Sequence, residues 1–239
     1  MHKTPTTGDE SALSDWHSSS YALEGSDLIL ASLLRNVKRG TYIDIGANHP
    51  IYISSTYAFY QKGWRGLAVD GNASFSSAWA QVRPDDIFVE GLVSDAERDV
   101  DFLIFPDHTM SSIDPETSGR YAARFNRSEV QVERRRTSTL RQLRDIYLPT
   151  HEIHLLAVDV EGEDLKVLAG ADLATMCPGV IAVETKNCSL YQLMENNIVR
   201  YLTNMGYRLI AKTPLDAFFV WPEKPYLDWI PGSLLTVSP

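Results

Sequence analysis

The sequence predicts an α/β fold, a doubly wound and mostly parallel seven-stranded sheet closed by an antiparallel C-terminal hairpin. Three observations carry this prediction. From residue 41 onward, short apolar runs alternate with stretches of helical periodicity, the βαβ rhythm of a parallel sheet covered on both faces. The first run ends in a tight glycine turn, 44-DIGAN-48, placed where such a sheet binds ligands, outside the carboxyl ends of its strands. The last two runs, YRLIAKT and DAFFVWP, are joined by a short turn, which suits a hairpin.

The elements follow in order. Residues 25–37, GSDLILASLLRNV, place apolar side chains at 28, 29, 30, 33, 34 and 37 behind a Ser26/Asp27 cap, which predicts an amphipathic helix. Strand TYIDIG, a helix through SSTYAFYQKG, strand GLAVDG, helix SFSSAWAQVR and strand DIFVEGLVS come next. Residues 99–105, DVDFLIF, read as a further strand. Residues 106–132 form a long polar stretch, expected to be a lid or substrate-side excursion because long loops in compact domains are usually functional. The alternation resumes with a helix over 138–148, a strand over 153–160, a helix over 163–171, a strand over 179–185 and a helix over 189–206. The polar start, residues 1–24, is expected to be a flexible arm and 25–239 one domain.

A chain of 239 residues that is 44% hydrophobic can build one substantial core. Its net charge of −9 opposes a nucleic-acid partner, since phosphate backbones need clustered Lys and Arg. The basic run 134-RRR-136 reads as a solvated loop or strand edge, with an anion site as the alternative. Cys177 and Cys188 have the spacing of neither a metal knuckle nor a redox pair, and neither a secretory h-region nor an apolar run of about 20 residues occurs. A cytoplasmic protein without a membrane span is therefore expected, and homo-oligomerisation is left open.

The DIGAN turn supplies Asp44 on the strand, Gly46 for a turn without a Cβ, and then Ala47 and Asn48, which let main-chain N–H groups meet a ligand closely. Asp70 closes the next strand 26 residues after Asp44, near the spacing of an acid that grips ribose hydroxyls. A pyrophosphate-binding G-x-G-x-x-G is missing. An adenosine without phosphates needs less glycine, and the charge of Asp44 suits a cationic ligand. S-adenosylmethionine has that profile; a dinucleotide, and with it a nucleotide-dependent oxidoreductase, is the alternative, and a non-catalytic binding module is a third reading.

The strings YIDIGANHP, FYQKGWRGLAVDGN, VEGLVSDAE, TMSSID, TSTLRQLRD, LLAVDVEGEDLKVLAGADL and PGVIAVE occur in that order. Together they resemble the FkbM family of S-adenosylmethionine-dependent methyltransferases over roughly residues 40–220. The resemblance implies a class I methyltransferase, Rossmann-like fold and O-methylation of a hydroxyl on a sugar, glycan or secondary metabolite. It matches Asp44, Gly46, Ala47 and Asn48 to the first cofactor loop. Asp70, Gly71 and Asn72 match the family's E-P-N, and glycine in place of proline implies a more flexible turn. Leu92 to Asp95 match the turn where adenine packs on apolar side chains and meets Ser94 or Asp95.

Asp159 and Glu161 flank Val160 in the acidic turn 159-DVEGED-164, at the edge where a methyl group would be presented, and are candidate catalytic residues, Asp159 also facing the cofactor. Glu163 and Asp164 open a helix, where negative charge favours the macrodipole. Aligning nucleophile, methyl carbon and sulfur is worth up to about 7–11 kcal/mol. A carboxylate cannot fully deprotonate a free alcohol, so either the proton leaves late or a cation lowers the hydroxyl pKa. Asp159 and Glu184, with Asn187 as a third oxygen, are candidate ligands for Mg²⁺; the alternative for Glu184 is metal-free orientation of the acceptor. His49 is a candidate general base or a loop histidine bonding the backbone or the cofactor, and His108 reads as a surface residue.

Overall fold

The computed structural model describes residues 18–186 and 188–235, so most of the expected N-terminal arm and Asn187 lie outside the described residues. The chain runs α1 (Ser26–Leu33), β1 (Thr41–Ile45), α2 (Tyr57–Gln61), β2 (Arg65–Asp70), α3 (Ser76–Val82), β3 (Ile87–Glu90), β4 (Leu92–Ser94) and β5 (Asp99–Ile104). It continues through α4 (Pro115–Ala122), β6 (Gln131–Thr139), α5 (Leu140–Tyr147), β7 (Leu155–Val158), α6 (Asp164–Ala169) and α7 (Leu173–Met176). Then come β8 (Val180–Glu184), α8 (Asn197–Asn204), β9 (Arg208–Lys212), β10 (Asp216–Val220) and α9 (Gly232–Leu235).

Seven strands form the main sheet in the order β3-β2-β1-β7-β8-β10-β9. The first five pair in parallel, while β10 is antiparallel to both β8 and β9, as the alternation and the terminal hairpin predict. The strand order reverses between β1 and β7, and there the carboxyl ends open a crevice. Side-chain alternation sorts the strands into two cores. Ile43, Leu67, Leu156, Ile181 and Phe219 pack on one face; Tyr42, Leu155, Val180 and Phe218 pack with Leu30 and Trp64 on the other. Burial on both faces explains why the central strands read as unbroken apolar runs. Among the described residues no helix is long and apolar enough to cross a membrane.

The structure departs from the sequence reading in four places. The run DIFVEGLVS breaks at Gly91 into β3 and β4, and β4 leaves the main sheet to pair with β6. Residues 106–132 carry α4, started by Pro115 at its first turn and by Asp114, whose carboxylate accepts from Thr117 N at 2.8 Å. The basic run lies within β6, a nine-residue strand antiparallel to β5 in a second, three-stranded sheet. Its arginines face acids: Arg134 to Asp101 at 2.9 Å, Arg135 to Glu90 at 3.0 Å, Arg136 to Glu97 at 3.7 Å. A strand held by its ladder and by cross-strand charges shows no hydrophobic period. The helix read over 189–206 is confined to α8, capped by Asn196, which accepts from Ile198 N at 2.8 Å.

Candidate functional site

A cavity of about 880 Å³ opens at the carboxyl edge of β1, β2, β7 and β8 and is roofed by the excursion after β5. Asp44, Gly46, Asp70, Asp159, Glu161 and Glu184 are on its wall, together with Ala47, Asn48, Gly71 and Leu92. The volume falls in the range of sites that enclose a small molecule.

One side of the cavity is built from the loops after β1 and β2. Gly46 has φ +79°, and a Cβ there would overlap the carbonyl oxygen of Asp159, so only glycine allows the ends of β1 and β7 to approach this closely. Asp70 then ties the two loops together. Its Oδ2 accepts from Asn48 N at 2.8 Å and its Oδ1 from Asn72 N at 2.7 Å. Each oxygen keeps acceptor capacity for a ligand hydroxyl. Burial raises the Asp70 pKa, and the two backbone donors oppose that shift.

Behind Asp44 lies a buried polar network. Asp44 Oδ2 accepts from Thr56 Oγ1 at 2.5 Å, and Thr56 Oγ1 accepts from Arg83 Nη2 at 3.1 Å. Arg83 pairs with Asp86 at 2.7 Å, both side chains fully buried, and its guanidinium stacks over Trp79 with 4.1 Å to the ring centroid. Trp79 Nε1 donates to Asn48 O at 2.8 Å. Helix α3 thus fixes the first loop from behind. Nothing in the sequence marked Arg83 or Thr56, because an arginine in a helical stretch reads as a solvated side chain.

Gly71 does not loosen its turn. A Cβ there would stand 2.6 Å from Leu92 Cδ2 and 2.8 Å from Phe102 Cζ, and its carbonyl accepts from Arg135 Nη1 at 2.7 Å. The glycine makes room for the second sheet to pack on the loop. Asn72 caps the following turn by accepting from Ser74 N at 3.1 Å, and it is not on the cavity wall. Ser94 and Asp95 are also off the wall: Ser94 Oγ donates to Glu163 Oε2 at 2.6 Å, and Asp95 pairs with Arg98, which also reaches Glu163 at 2.9 Å. In this arrangement they brace the start of α6.

His49 is not on the cavity wall either. Its Nδ1 accepts from Ile51 N and Tyr52 N, each at 3.1 Å, and its ring packs 4.6 Å from that of Tyr52. Burial and the neighbouring His108 lower its pKa. A neutral imidazole with Nδ1 accepting carries its proton on Nε2, so no basic nitrogen is left to take a substrate proton. The loop-histidine alternative fits this geometry. His108, read as a surface residue, is on the cavity wall.

The other side of the cavity is acidic. Glu161 and Gly162 follow β7 in left-handed conformations, φ +53° and +107°, which turn the chain sharply into α6. The turn is locked by Ser112 Oγ donating to Glu161 O at 2.7 Å and by Asp164, whose two oxygens accept from Val160 N and Gly162 N, each at 3.1 Å. From the roof, Tyr121 OH donates to Glu161 Oε2 at 2.7 Å. From the end of β8, Lys186 Nζ donates to Glu161 Oε1 at 2.6 Å and also pairs with Glu184. Asp159 is exposed on the cavity wall and has no cation within ion-pair distance among the described residues.

Desolvation of its carboxylate beside neighbouring side chains raises the Asp159 pKa, reinforced by the charges of Glu161 and Asp164. Glu184 is raised by burial and by Asp159. Asp164 is pushed up to about 6, mainly by burial. Burial opposes the Lys186 charge, but Asp159 and Glu184 outweigh it and keep the ammonium protonated. Tyr121 is pushed up to about 12 by burial and by its bond to Glu161, so it remains a donor.

Carboxylate oxygens of Asp159, Asp164 and Glu184 lie within 4.8 Å of one another, the spacing of a cation site. The donor set does not fit a divalent ion as it stands. Asp164 accepts one backbone N–H at each oxygen, and Glu184 is paired with Lys186. Of the three, only Asp159 has a carboxylate without a hydrogen bond or ion pair among the described residues, and three carboxylates, one of them held by a lysine, fall short of the about six oxygens a hard ion wants. The loops around Asp44 and Asp70, in contrast, offer acceptors and a negative field without a phosphate cradle, and fit a cationic nucleoside. Sequence reasoning found the strand-end carboxylates but not Lys186 or Tyr121, whose partners are set by tertiary packing.

No curated protein matches the chain. Among solved structures it is similar to the apo structure of CalS11, a TDP-rhamnose 3'-O-methyltransferase, an enzyme in calicheamicin biosynthesis. Identity is 14% over 90% of this chain and 81% of that one, with a TM-score of 0.34, so the likeness carries no argument about chemistry. The profile of the Methyltransferase FkbM domain matches residues 44–209, from the strand end at Asp44 to the start of β9. The chain belongs to the FkbM methyltransferase family.

Proposed function

We propose that the protein is an S-adenosylmethionine-dependent O-methyltransferase acting on a hydroxyl of a sugar, glycan or secondary metabolite. The observation that carries this reading is the Asp70 carboxylate, which joins two backbone loops on the wall of a cavity whose opposite side holds Asp159, Glu161, Glu184 and Lys186. Family membership supports methyl transfer, and the single-glycine turn supports a nucleoside without phosphates.

When bound, S-adenosylmethionine supplies an electrophilic methyl group on a sulfonium that leaves as a neutral thioether. Asp70 receives the ribose hydroxyls, and Asp44 and the loop 46–48 bound the same pocket. Asp159, whose carboxylate has no ion-pair partner among the described residues, accepts the proton of the acceptor hydroxyl late in the transfer. Glu161, held by Tyr121 and Lys186, fixes the acceptor side. Residues 25–239 form the catalytic domain in this reading.

Mass spectrometry of a hydroxylated-acceptor panel incubated with methyl-labelled S-adenosylmethionine tests the proposal. A product heavier by one labelled methyl on oxygen is expected. Label on nitrogen or carbon only would contradict O-transfer.

A further inference from the structure

Asp159 and Asp164, beyond the end of β7, and Glu184, at the end of β8, have the spacing of a cation site, yet a side chain of the same chain already pairs with one of them. Lys186 Nζ bridges Glu161 Oε1, at 2.6 Å, and Glu184 Oε1. Glu184 is the last residue of β8 and pairs across the sheet with Asp216 of β10, so the backbone carrying the lysine is held on one side. Just beyond it, Thr185 N donates to Leu215 O at 2.7 Å, which holds the chain on into Lys186. Among the described residues Lys186 is the only lysine on the cavity wall; Arg120 and Arg124 belong to the roof helix and its end.

We propose that Lys186 is the resident cation of this site: its ammonium, held by Glu161 and Glu184, takes up one of the three carboxylates that a divalent ion would need, so that the acceptor is activated without a metal. An ammonium has three hydrogens, and two are committed to Glu161 and Glu184. The third is free to donate to the acceptor oxygen. There it stabilises the negative charge that grows as the oxygen forms its bond to the methyl carbon and the carbon–sulfur bond breaks. The hydroxyl proton passes to Asp159, the sulfur keeps the electron pair of the broken bond, and Lys186 begins and ends the step protonated. A second positive charge beside this ammonium would be repelled by it and would find Glu184 already paired.

The catalytic half of this inference rests on the O-methyltransferase reading; the occupancy half does not, and the two are measured separately. Mn²⁺ is titrated by electron paramagnetic resonance into chelator-stripped wild-type protein and into Lys186→Met, with the folding of both checked by thermal melting. The wild type is expected to take up no Mn²⁺ at concentrations where Lys186→Met binds one equivalent, an affinity gain of about tenfold or more. Stoichiometric Mn²⁺ binding by the wild type, or uptake by neither protein, would overturn the proposal. In a second arm, labelled methyl transfer by the wild type is expected to be unchanged by chelator. Activity lost on chelation and restored by Mg²⁺ would overturn it even if the variant failed to fold. Absence of transfer in every arm would refute the methyltransferase reading while leaving the Mn²⁺ result standing.

Discussion

Glu161 shows how much a single residue is asked to do in this site. Its backbone takes the left-handed turn, its carbonyl accepts from Ser112, and its carboxylate joins the roof through Tyr121 to the sheet through Lys186. Glu161→Gln removes the charge that faces Lys186 but keeps an oxygen for Tyr121. Cofactor affinity is therefore expected to be unchanged and turnover to fall by about 10²-fold, at the low end for groups handling charge and protons in a transition state. Steady-state kinetics beside calorimetry checks this, and normal turnover would remove Glu161 from the mechanism. At this scale the sequence is informative where chemistry coincides with a strand end, as at Asp44, Asp70, Asp159 and Glu184. It is silent where a role depends on a distant partner. Lys186 meets Glu161 only because β7 and β8 are neighbours, and Arg83 reaches Asp44 only through Thr56.

Among the elements, the small sheet matters most for the site, and it was the least legible. Strand β6 has the pattern QVERRRTST, in which charge replaces hydrophobicity, and its ion pairs are mostly exposed and individually weak. Its contribution comes from the backbone ladder with β5 and from Arg135, which holds the carbonyl of Gly71. The Asp114 and Asn196 caps set helix starts that the reading of 106–132 as a polar stretch and of 189–206 as one helix did not place, whereas the central strands follow from burial. Gly71 is where the small sheet meets the cofactor loop, so Gly71→Ala tests that contact. Its Cβ would press on Leu92 and Phe102, both buried, and a destabilisation of about 1–3 kcal/mol is expected from overpacking. Chemical denaturation measures it, and an unchanged midpoint would show that the loop and the small sheet are not in tight contact.

Across the whole molecule, buried titratable groups tie stability to pH. His154, at the amino end of β7, accepts from Thr41 N through Nδ1 at 3.2 Å, and burial lowers its pKa. A histidine held neutral binds fewer protons folded than unfolded, so its contribution is complete above the unfolded value near 6.5 and is lost as pH falls toward the folded value. The stability difference between wild type and His154→Asn is expected to be flat above about pH 6.5 and to shrink or reverse below it. A difference independent of pH would contradict that. The doubly wound sheet and its hairpin were legible throughout, because alternating apolar runs report burial directly. The meaning of the cavity was legible only in part, since it arises where the strand order reverses and residues far apart in sequence meet. The account turns on that cavity holding S-adenosylmethionine through Asp70. Isothermal titration calorimetry of S-adenosylmethionine into wild type and into Asp70→Ala, with circular dichroism to confirm that both are folded, tests it most directly. One equivalent bound by the wild type and an affinity loss of about 100-fold or more in the variant are predicted, as for a ligand losing charge-assisted hydrogen bonds. A folded wild type that does not bind S-adenosylmethionine, or a variant that binds it equally well, would contradict it.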